Sequence, residues 1–304
     1  MTVIRAKRPR GKYFWKTPIM KNILIATDFS PAAEDATQYG IKLAASFGAR
    51  VTLLTAYEEI SIPEAEAMTI ITYEDMRRLA QRQLEEEKRR FGGDTAIPID
   101  LLTKKGTTVR TILAAAEETN ADLIVVGMTG TEKDIRRSFG SASTTLGRKT
   151  ILPLLVVPEG ARFTPPVAIA LAEDVIRGRE NETPKAVRDL LLQFHAKLFL
   201  IRVFSKQSGE VIEILHESAN GHRAIGAFSE LYEIPKSKNV AHALENFIEV
   251  NPISILVMRP QPRTLPERWF LHSNTKEMIF ETSIPLLILP PVKRINRVPA
   301  GAQK

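Results

Sequence analysis

Residues 22–31 read NILIATDFSP, and this stretch decides the expected fold. The near-continuous aliphatic run NILIAT predicts a β-strand that is covered on both faces, as in parallel sheets. Ser30 followed by Pro31 predicts that a helix begins at once, because serine is a favoured N-cap and proline suits the first helical position. Gly48 predicts the end of that helix. A buried strand that leads directly into a helix is typical of an α/β fold.

The rest of the first half continues this alternation of strands and helices. Helices are predicted at residues 74–90 and 108–119, with another ending at 145–150, and the charged run 85–90 is predicted to be a solvated helix face. The further predicted strands are residues 51–56, 97–102, 123–126 and 154–157. These elements together have the size of one ordinary domain.

A repeated phrase predicts that the chain is an internal duplication. Residues 151–158 (ILPLLVVP) are matched by residues 283–290 (SIPLLILP) at an offset of 132. The same offset places the apolar run 124–126 on 256–258, and residues 167–174 (VAIALAED) resemble the opening strand. The expected fold class is therefore α/β, with two tandem doubly wound domains. Each is expected to be a five-stranded parallel sheet in the order 3-2-1-4-5 with helices on both faces.

Composition and charge exclude several classes of protein. The chain has no cysteine, which excludes disulfides and thiolate chemistry, and no run of 18 apolar residues that would predict a membrane span. Its net charge of +7 is concentrated at the ends, with +6 in residues 1–20 and +4 in residues 291–304, so that residues 21–290 carry −3. A broad basic face for nucleic acid is therefore not expected. Residues 1–20 lack the pattern of a secretory signal, so we expect a cytoplasmic protein.

The repeat and the charged ends together predict the domain boundaries. They are a basic flexible leader at 1–20, a first domain at 21–158, a linker at 159–166, a second domain at 167–290 and a basic tail at 291–304. The fifth strand of each domain is apolar on consecutive positions and would be a sheet edge in isolation. We therefore predict that the two fifth strands pair antiparallel in an intramolecular pseudo-dimer. A further homodimer is left open.

A spaced set of glycines follows the fourth strand of the first half. Two glycines stand at 127 and 130, nine residues intervene, and a Gly-Ser pair follows at 140. Glycine lets backbone N–H groups approach a phosphate, and the Gly-Ser pair at a helix start adds a hydroxyl and the helix dipole. Ligands of parallel sheets bind at the carboxyl ends of the strands. The candidate binding residues are Asp28, Ala56, Gly127, Gly130, Gly140 and Ser141.

Five of these six residues also have a purely structural explanation. Gly127 and Gly130 could serve a turn that needs a positive φ angle, and Ser141 and Asp28 could only cap helices. Ala56 could simply pack in the core. No catalytic residue and no metal ligand is predicted, because the five histidines lack the spacing of a metal site and no catalytic triad or P-loop lysine is recognisable.

At these residues the sequence resembles the universal stress protein family. Its nucleotide-binding members carry Gly, two residues, Gly, nine residues, then Gly followed by Ser or Thr, and both spacings are intact here. The phrases ILIATDFS and LPLLVVP match as well, so the resemblance is strong over residues 21–158 and weak over 163–290. It implies a tandem member that binds ATP, with magnesium left open, and acts as a nucleotide-responsive stress regulator through an unknown protein partner. It implies no enzyme, although slow ATP hydrolysis or self-phosphorylation is left open.

The second half departs from the motif. At the offset of 132 the four motif positions become Arg259, Pro262, His272 and Ser273. Arginine and histidine place side chains where a close backbone approach needs none, and proline has no N–H to donate. We therefore expect one adenine nucleotide per chain, bound in the first half. Two other functions remain open, namely a nucleotide-independent stress scaffold with a vestigial site and a slow ATPase or phosphotransferase.

Overall fold

The computed structural model of the chain consists of one eleven-stranded sheet with helices on both faces. It describes residues 2–5, 20–58, 73–93, 95–128, 145–147, 149–174, 183–203, 229–234, 246–259 and 283–290. Gly130, Gly140 and Ser141 of the predicted site lie outside the described residues, as do Pro262, His272 and Ser273 in the second half.

The first half contains the predicted order of elements. A short strand, β1, spans Thr2–Arg5 and precedes the predicted series. The series consists of β2 (Asn22–Ala26), α1 (Pro31–Phe47), β3 (Arg50–Tyr57), α2 (Tyr73–Gly92), β4 (Ile99–Lys105), α3 (Thr108–Glu118), β5 (Leu123–Met128) and β6 (Leu154–Pro158). Residues 145–147 are helical as well.

The second half repeats the strand series with a shorter first helix. Its elements are β7 (Ala168–Asp174), α4 (Lys185–Phe194), β8 (Lys197–Val203), β9 (Ser229–Ile234), β10 (Ile255–Met258) and β11 (Leu286–Ile288). Helix α4 has 10 residues, whereas α1 has 17. Residues 246–250 form a helical turn before β10.

The strand order confirms the predicted topology of both halves. Across the sheet the order is β1-β9-β8-β7-β10-β11-β6-β5-β2-β3-β4, so each half has the order 3-2-1-4-5. Strands within each five-stranded set are parallel, whereas β6 and β11 are antiparallel to each other. The predicted antiparallel pairing of the two fifth strands is therefore confirmed. We call this junction the β6–β11 seam.

Helix α1 begins and ends as the sequence predicts. The Ser30 hydroxyl accepts a hydrogen bond from the Ala33 N–H at 3.3 Å, and Pro31 is the first helical residue. At the other end Gly48 adopts φ 63°, a left-handed conformation that glycine tolerates without strain, and its N–H bonds to carbonyls of the last turn. The apolar stripe of α1 covers the sheet next to the candidate site.

Two hydrophobic layers, one on each face of the sheet, run across the seam. Ile23 and Ile25 of β2 belong to the layer that includes α1, α2 and α4, whereas Leu24 and Ala26 belong to the layer that includes α3. Successive strand residues point to opposite faces, which explains why the aliphatic runs have no polar alternation. Because each layer contains residues of both halves, the position of the domain boundaries stays a prediction.

The predicted leader and the predicted linker both contain ordered contacts. Thr2–Arg5, within the leader predicted to be flexible, forms strand β1 and pairs antiparallel with β9. Strand β9 would otherwise leave its outer N–H and C=O groups unpaired, which explains the addition. The predicted linker packs through Phe163 onto Tyr39 of α1, with ring centroids 5.2 Å apart, and Asp35 of α1 accepts the Gly160 N–H at 2.7 Å.

Candidate functional site

The described candidate residues lie at the carboxyl ends of three neighbouring strands. Ala26 of β2 pairs with Leu54 of β3 on one side and with Val126 of β5 on the other. The three strands therefore end at the same level of the sheet. One or two residues beyond that level are Asp28, Ala56 and Gly127. Their common edge is the place where parallel sheets bind ligands, although the ligand role of each residue stays a prediction.

The loop after β2 is fixed by side-chain hydrogen bonds. Asp28 Oδ1 accepts the Ser30 N–H at 3.1 Å and the Ser30 hydroxyl at 2.6 Å. The Phe29 N–H donates to the Thr27 hydroxyl at 3.0 Å, and Phe29 itself has a φ angle of 63°, which is uncommon outside glycine. Ser30, and not Asp28, accepts from the helix N–H groups, so Asp28 orders the loop rather than capping α1.

Gly127 is required by the packing of α1. A Cβ atom at this position would lie 2.3 Å from the Ala32 carbonyl oxygen and 2.7 Å from the Ala33 nitrogen. Backbone atoms in the first turn of α1 cannot give way as a flexible side chain would. Gly127 is not among the described glycines with positive φ, so the turn explanation considered for it is wrong. The glycine brings the N-terminus of α1 against the end of β5.

Ala56 lies half-buried on β3, next to the buried Thr55. It pairs with Lys104 of β4, whose ammonium group forms an ion pair with Glu118 of α3. The small side chain therefore leaves a partly exposed apolar surface at the site edge, with a lysine on the far side. This placement agrees with a residue against which a base could lie, without excluding simple packing.

Glu87 is a buried acid beneath the site, and the sequence analysis missed it. Its side chain extends from α2, it is only 5% exposed, and its Oε1 accepts a hydrogen bond from the Thr27 hydroxyl at 3.2 Å. Burial raises the pKa of Glu87 to about 7; the Thr37 and Thr27 hydroxyls lower it, and the carboxylates of Glu34 and Asp28 raise it.

The prediction that residues 85–90 form a solvated face is wrong at Glu87. The signal was present in the spacing, because Ala80 and Leu84 lie seven and three residues earlier and are both buried. Residues separated by three, four or seven positions share one helix face, so Glu87 continues the buried stripe of α2. The many charges around it hid this periodicity.

The second half presents a different edge. Arg259 follows β10 directly and is half-buried, at the position that Gly127 has in the first half. It lines a cavity of about 400 Å³ at the β6–β11 seam together with Asp122, Lys185 and Asp189. Lys185 lies 3.0 Å from Asp122 Oδ1 and 3.8 Å from Asp189 Oδ2, so acids and bases neutralise one another there.

Among the described residues, no group of three or more histidines and carboxylates could hold a metal ion. No helix within the described ranges is long and apolar enough to cross a membrane.

Comparison with known proteins identifies the first half. The family model of the universal stress protein family matches residues 20–158. A universal stress protein from Archaeoglobus fulgidus DSM 4304 has a similar structure, with 14% identity and a TM-score of 0.69, over 89% of this chain and 98% of that chain. A putative universal stress protein from Pseudomonas aeruginosa UCBPP-PA14 has 15% identity and a TM-score of 0.55, over 89% and 93%.

No match to the chain was found among the curated proteins. The two structural likenesses extend through both halves and show the fold of the whole described chain, whereas the family model rests on the first half. The strand order, the opening strand and its capped helix agree with that family assignment. Residues 20–158 therefore match the universal stress protein family, and the two solved structures extend the likeness of fold, and of fold alone, to the second half.

Proposed function

We propose that this stress protein binds one adenine nucleotide at the carboxyl edge of its first half and changes its contacts with a protein partner in response. The single observation that carries the proposal is the convergence of Asp28, Ala56 and Gly127 at the ends of three adjacent strands. The glycine motif that continues from Gly127 supplies the rest of the predicted site through Gly130, Gly140 and Ser141.

Asp28 has the properties of a nucleotide acceptor. Its Oδ1 is occupied by the two hydrogen bonds from Ser30, which hold the carboxylate in one orientation. Its side chain is exposed, and Oδ2 has no hydrogen bond with the described residues. A fixed, exposed carboxylate oxygen can accept a hydrogen bond from a ribose hydroxyl or an adenine amino group with little further loss of side-chain entropy.

The ligand that these residues fit is ATP. Gly130, Gly140 and Ser141 would hold its phosphates through backbone N–H groups and a hydroxyl, and Asp28 and Ala56 would contact the nucleoside. We propose binding rather than rapid turnover. The glycine motif lacks the lysine of a P-loop, and no group of carboxylates and histidines within the described residues could hold a metal ion; fast nucleotide hydrolases use such groups to stabilise the transferred phosphate.

A second candidate function is a nucleotide-independent stress scaffold. The observation that favours it is the packing of α1 on Gly127, because this contact explains the first motif glycine without any ligand. The continuous sheet also joins the two halves through backbone pairing that involves no ligand.

Calorimetric titration of the full chain with ATP separates the two candidates. We expect one site per chain, and about tenfold weaker binding for Asp28→Asn, because a charged acceptor becomes neutral while the acceptor for Ser30 is kept. Asp100→Asn is the matched control, since Asp100 is an exposed aspartate paired with Arg50 at the amino ends of the strands. It should bind ATP as the wild type does.

Four results bear on these candidates. Absence of binding at millimolar ATP would support the scaffold, and two equivalent sites would contradict the assignment to the first half. Gly130→Val should abolish binding through steric exclusion of the phosphates while circular dichroism stays unchanged. Steady phosphate release by the wild type, lost in Gly130→Val, would instead show the slow ATPase.

A further inference from the structure

The buried carboxyl group of Glu87 joins three elements beneath the candidate site. It projects from α2, its Oε1 contacts Thr27 at the end of β2, and the hydroxyl of Thr37 on α1 lies near enough to affect its pKa. Its Oε2 is buried without a hydrogen-bond partner, and so is Thr37 Oγ1. A charged carboxylate normally accepts several hydrogen bonds when buried, so this environment suits a neutral carboxyl group.

Thr27 connects Glu87 to the site loop. The Thr27 hydroxyl donates to Glu87 Oε1 and at the same time accepts the Phe29 N–H. That second bond holds Phe29 at its positive φ angle, which costs free energy and needs support from its surroundings. The next residues in the loop are oriented by Asp28. Two hydrogen bonds through the Thr27 hydroxyl therefore connect the carboxyl group of Glu87 to the backbone N–H of Phe29, the residue next to Asp28.

The charges around Glu87 disfavour its ionisation. Glu34 on α1 and Asp28 after β2 are both acidic and act on Glu87 through space. Arg90, on the same helix as Glu87, pairs with Glu34 at 2.8 Å. Among the described residues no lysine or arginine forms an ion pair with Glu87. Loss of the Glu87 proton therefore places an uncompensated charge between α2, α1 and β2.

We propose that Glu87 is a positioning residue of the nucleotide site. While its carboxyl group is neutral, it stays buried and holds the loop 27–30 through Thr27. Once the proton is lost, the cost of a buried charge without a counter-ion outweighs the stronger hydrogen bond that a carboxylate accepts from Thr27, so the side chain moves towards water and releases the loop. Nucleotide affinity therefore falls as the pH rises through neutrality. This inference rests on the proposed function for its effect on ATP, whereas the effect on the loop is independent of any ligand. By linkage, binding of the nucleotide raises the proton affinity of Glu87, so ATP and a proton bind together.

Glu87→Gln is the central test variant. The amide is isosteric and neutral at every pH, its oxygen can accept from Thr27, and its NH2 group can donate towards Thr37. We expect the ratio of the wild-type affinity to the Glu87→Gln affinity for ATP to fall about tenfold between about pH 6 and pH 8. A tenfold change corresponds to one pKa unit. Titration of ATP itself affects both proteins equally and cancels in the ratio. An affinity ratio that is constant with pH would overturn the proposal.

Hydrogen exchange of the ligand-free chain tests the effect of Glu87 on the loop 27–30 without a nucleotide. The backbone N–H groups of Phe29, Ser30 and Ala33 should lose protection in the wild type between about pH 6 and pH 8, compared with Glu87→Gln at each pH. Thr27→Val removes the connecting hydroxyl and should leave the loop unprotected at both values. Equal protection in the wild type and Glu87→Gln at pH 8 would overturn the role of Glu87. If no protein binds ATP, the proposed function fails while the exchange result still decides this inference.

Discussion

Leu155 of β6 and Leu287 of β11 face each other in antiparallel register, and each is only 1% exposed. They are the central pair of the β6–β11 seam, and each belongs to the hydrophobic layer that also contains α1 and α4. The second half therefore completes an edge that the first half would leave open. This contact gives the second half, which has Arg259 where the first half has Gly127, a structural role beside the half that carries the complete glycine motif.

Leu287→Lys should destabilise the chain strongly, because it buries an unpaired charge in the seam. We expect the free energy of unfolding to fall by about 3 kcal/mol or more, measured by chemical denaturation. Val250→Lys is the control, since Val250 is 74% exposed. It should change the stability by less than about 0.5 kcal/mol. Equal effects of the two variants would show that the seam contributes no stability.

Gly127→Ala should cost more than Gly48→Ala, because the two glycines are needed for different reasons. A Cβ at Gly127 meets the backbone of Ala32 at 2.3 Å, whereas a Cβ at Gly48 meets nothing within 4 Å and suffers only from the positive φ angle. We expect losses of about 3 kcal/mol and about 1 kcal/mol respectively in the free energy of unfolding. The reverse order would contradict the tight contact between α1 and β5.

Most of the fold could be predicted from the sequence, because aliphatic runs and helix caps indicate local structure. Residues 22–31 predicted β2 and α1, and the repeated phrase predicted the seam, both of which the structure confirms. The strand predicted at 97–102 lies instead at Ile99–Lys105, because its polar second half looks like a loop in the sequence. The pairing of Thr2–Arg5 with β9 could not be predicted, because it joins segments that are far apart in the sequence and no local pattern indicates it.

The candidate site was only partly readable. Parallel-sheet topology correctly brings Asp28, Ala56 and Gly127 to one edge. The sequence could not show that the Cβ space of Gly127 is filled by α1, because that contact depends on the tertiary approach of two elements. The burial of Glu87 was not predicted, because a glutamate among charged neighbours usually faces solvent. Only its spacing from Leu84 indicated burial.

His195→Gly should stabilise the protein. His195 is the C-cap of α4 and adopts φ 51°, the left-handed conformation that Gly48 adopts after α1. Glycine relieves the steric strain of the Cβ atom, so we expect a gain of about 1 kcal/mol in the free energy of unfolding. Thr119→Gly is the control at the C-cap of α3, where φ is −86° and the Thr119 hydroxyl donates to the Ala115 carbonyl at 2.8 Å. It should lower the stability.

Asp122→Ala should destabilise the chain more than Lys185→Met. Asp122 Oδ2 accepts the Lys21 N–H at 2.8 Å and the Asn22 N–H at 3.2 Å, and Oδ1 pairs with Lys185. Burial works to raise the pKa of Asp122, but these donors outweigh it and lower the pKa overall. We expect a loss of about 2 kcal/mol for Asp122→Ala, which leaves two backbone N–H groups without this acceptor. We expect a smaller loss, about 1 kcal/mol, for Lys185→Met, which removes a partly exposed ion pair with Asp122 and a longer one with the buried Asp189. Equal losses in thermal unfolding would assign the stability to the ion pair.

The free energy of unfolding of the wild type should fall as the pH rises from the ordinary pKa of Glu87 to the pKa of Glu87 in the folded chain. The ordinary pKa of 4.5 is raised to about 7 in the folded chain, so the folded state binds the Glu87 proton more tightly than the unfolded state within that range. The unfolding free energy therefore falls with pH there, by about 3 kcal/mol at most, and the contribution is flat above and below it. Glu87→Gln has no such proton and should show a smaller fall, with the difference between the two proteins largest at about pH 7 and above. Chemical denaturation of both proteins at several pH values measures that difference, and parallel curves would show that Glu87 does not titrate within this range.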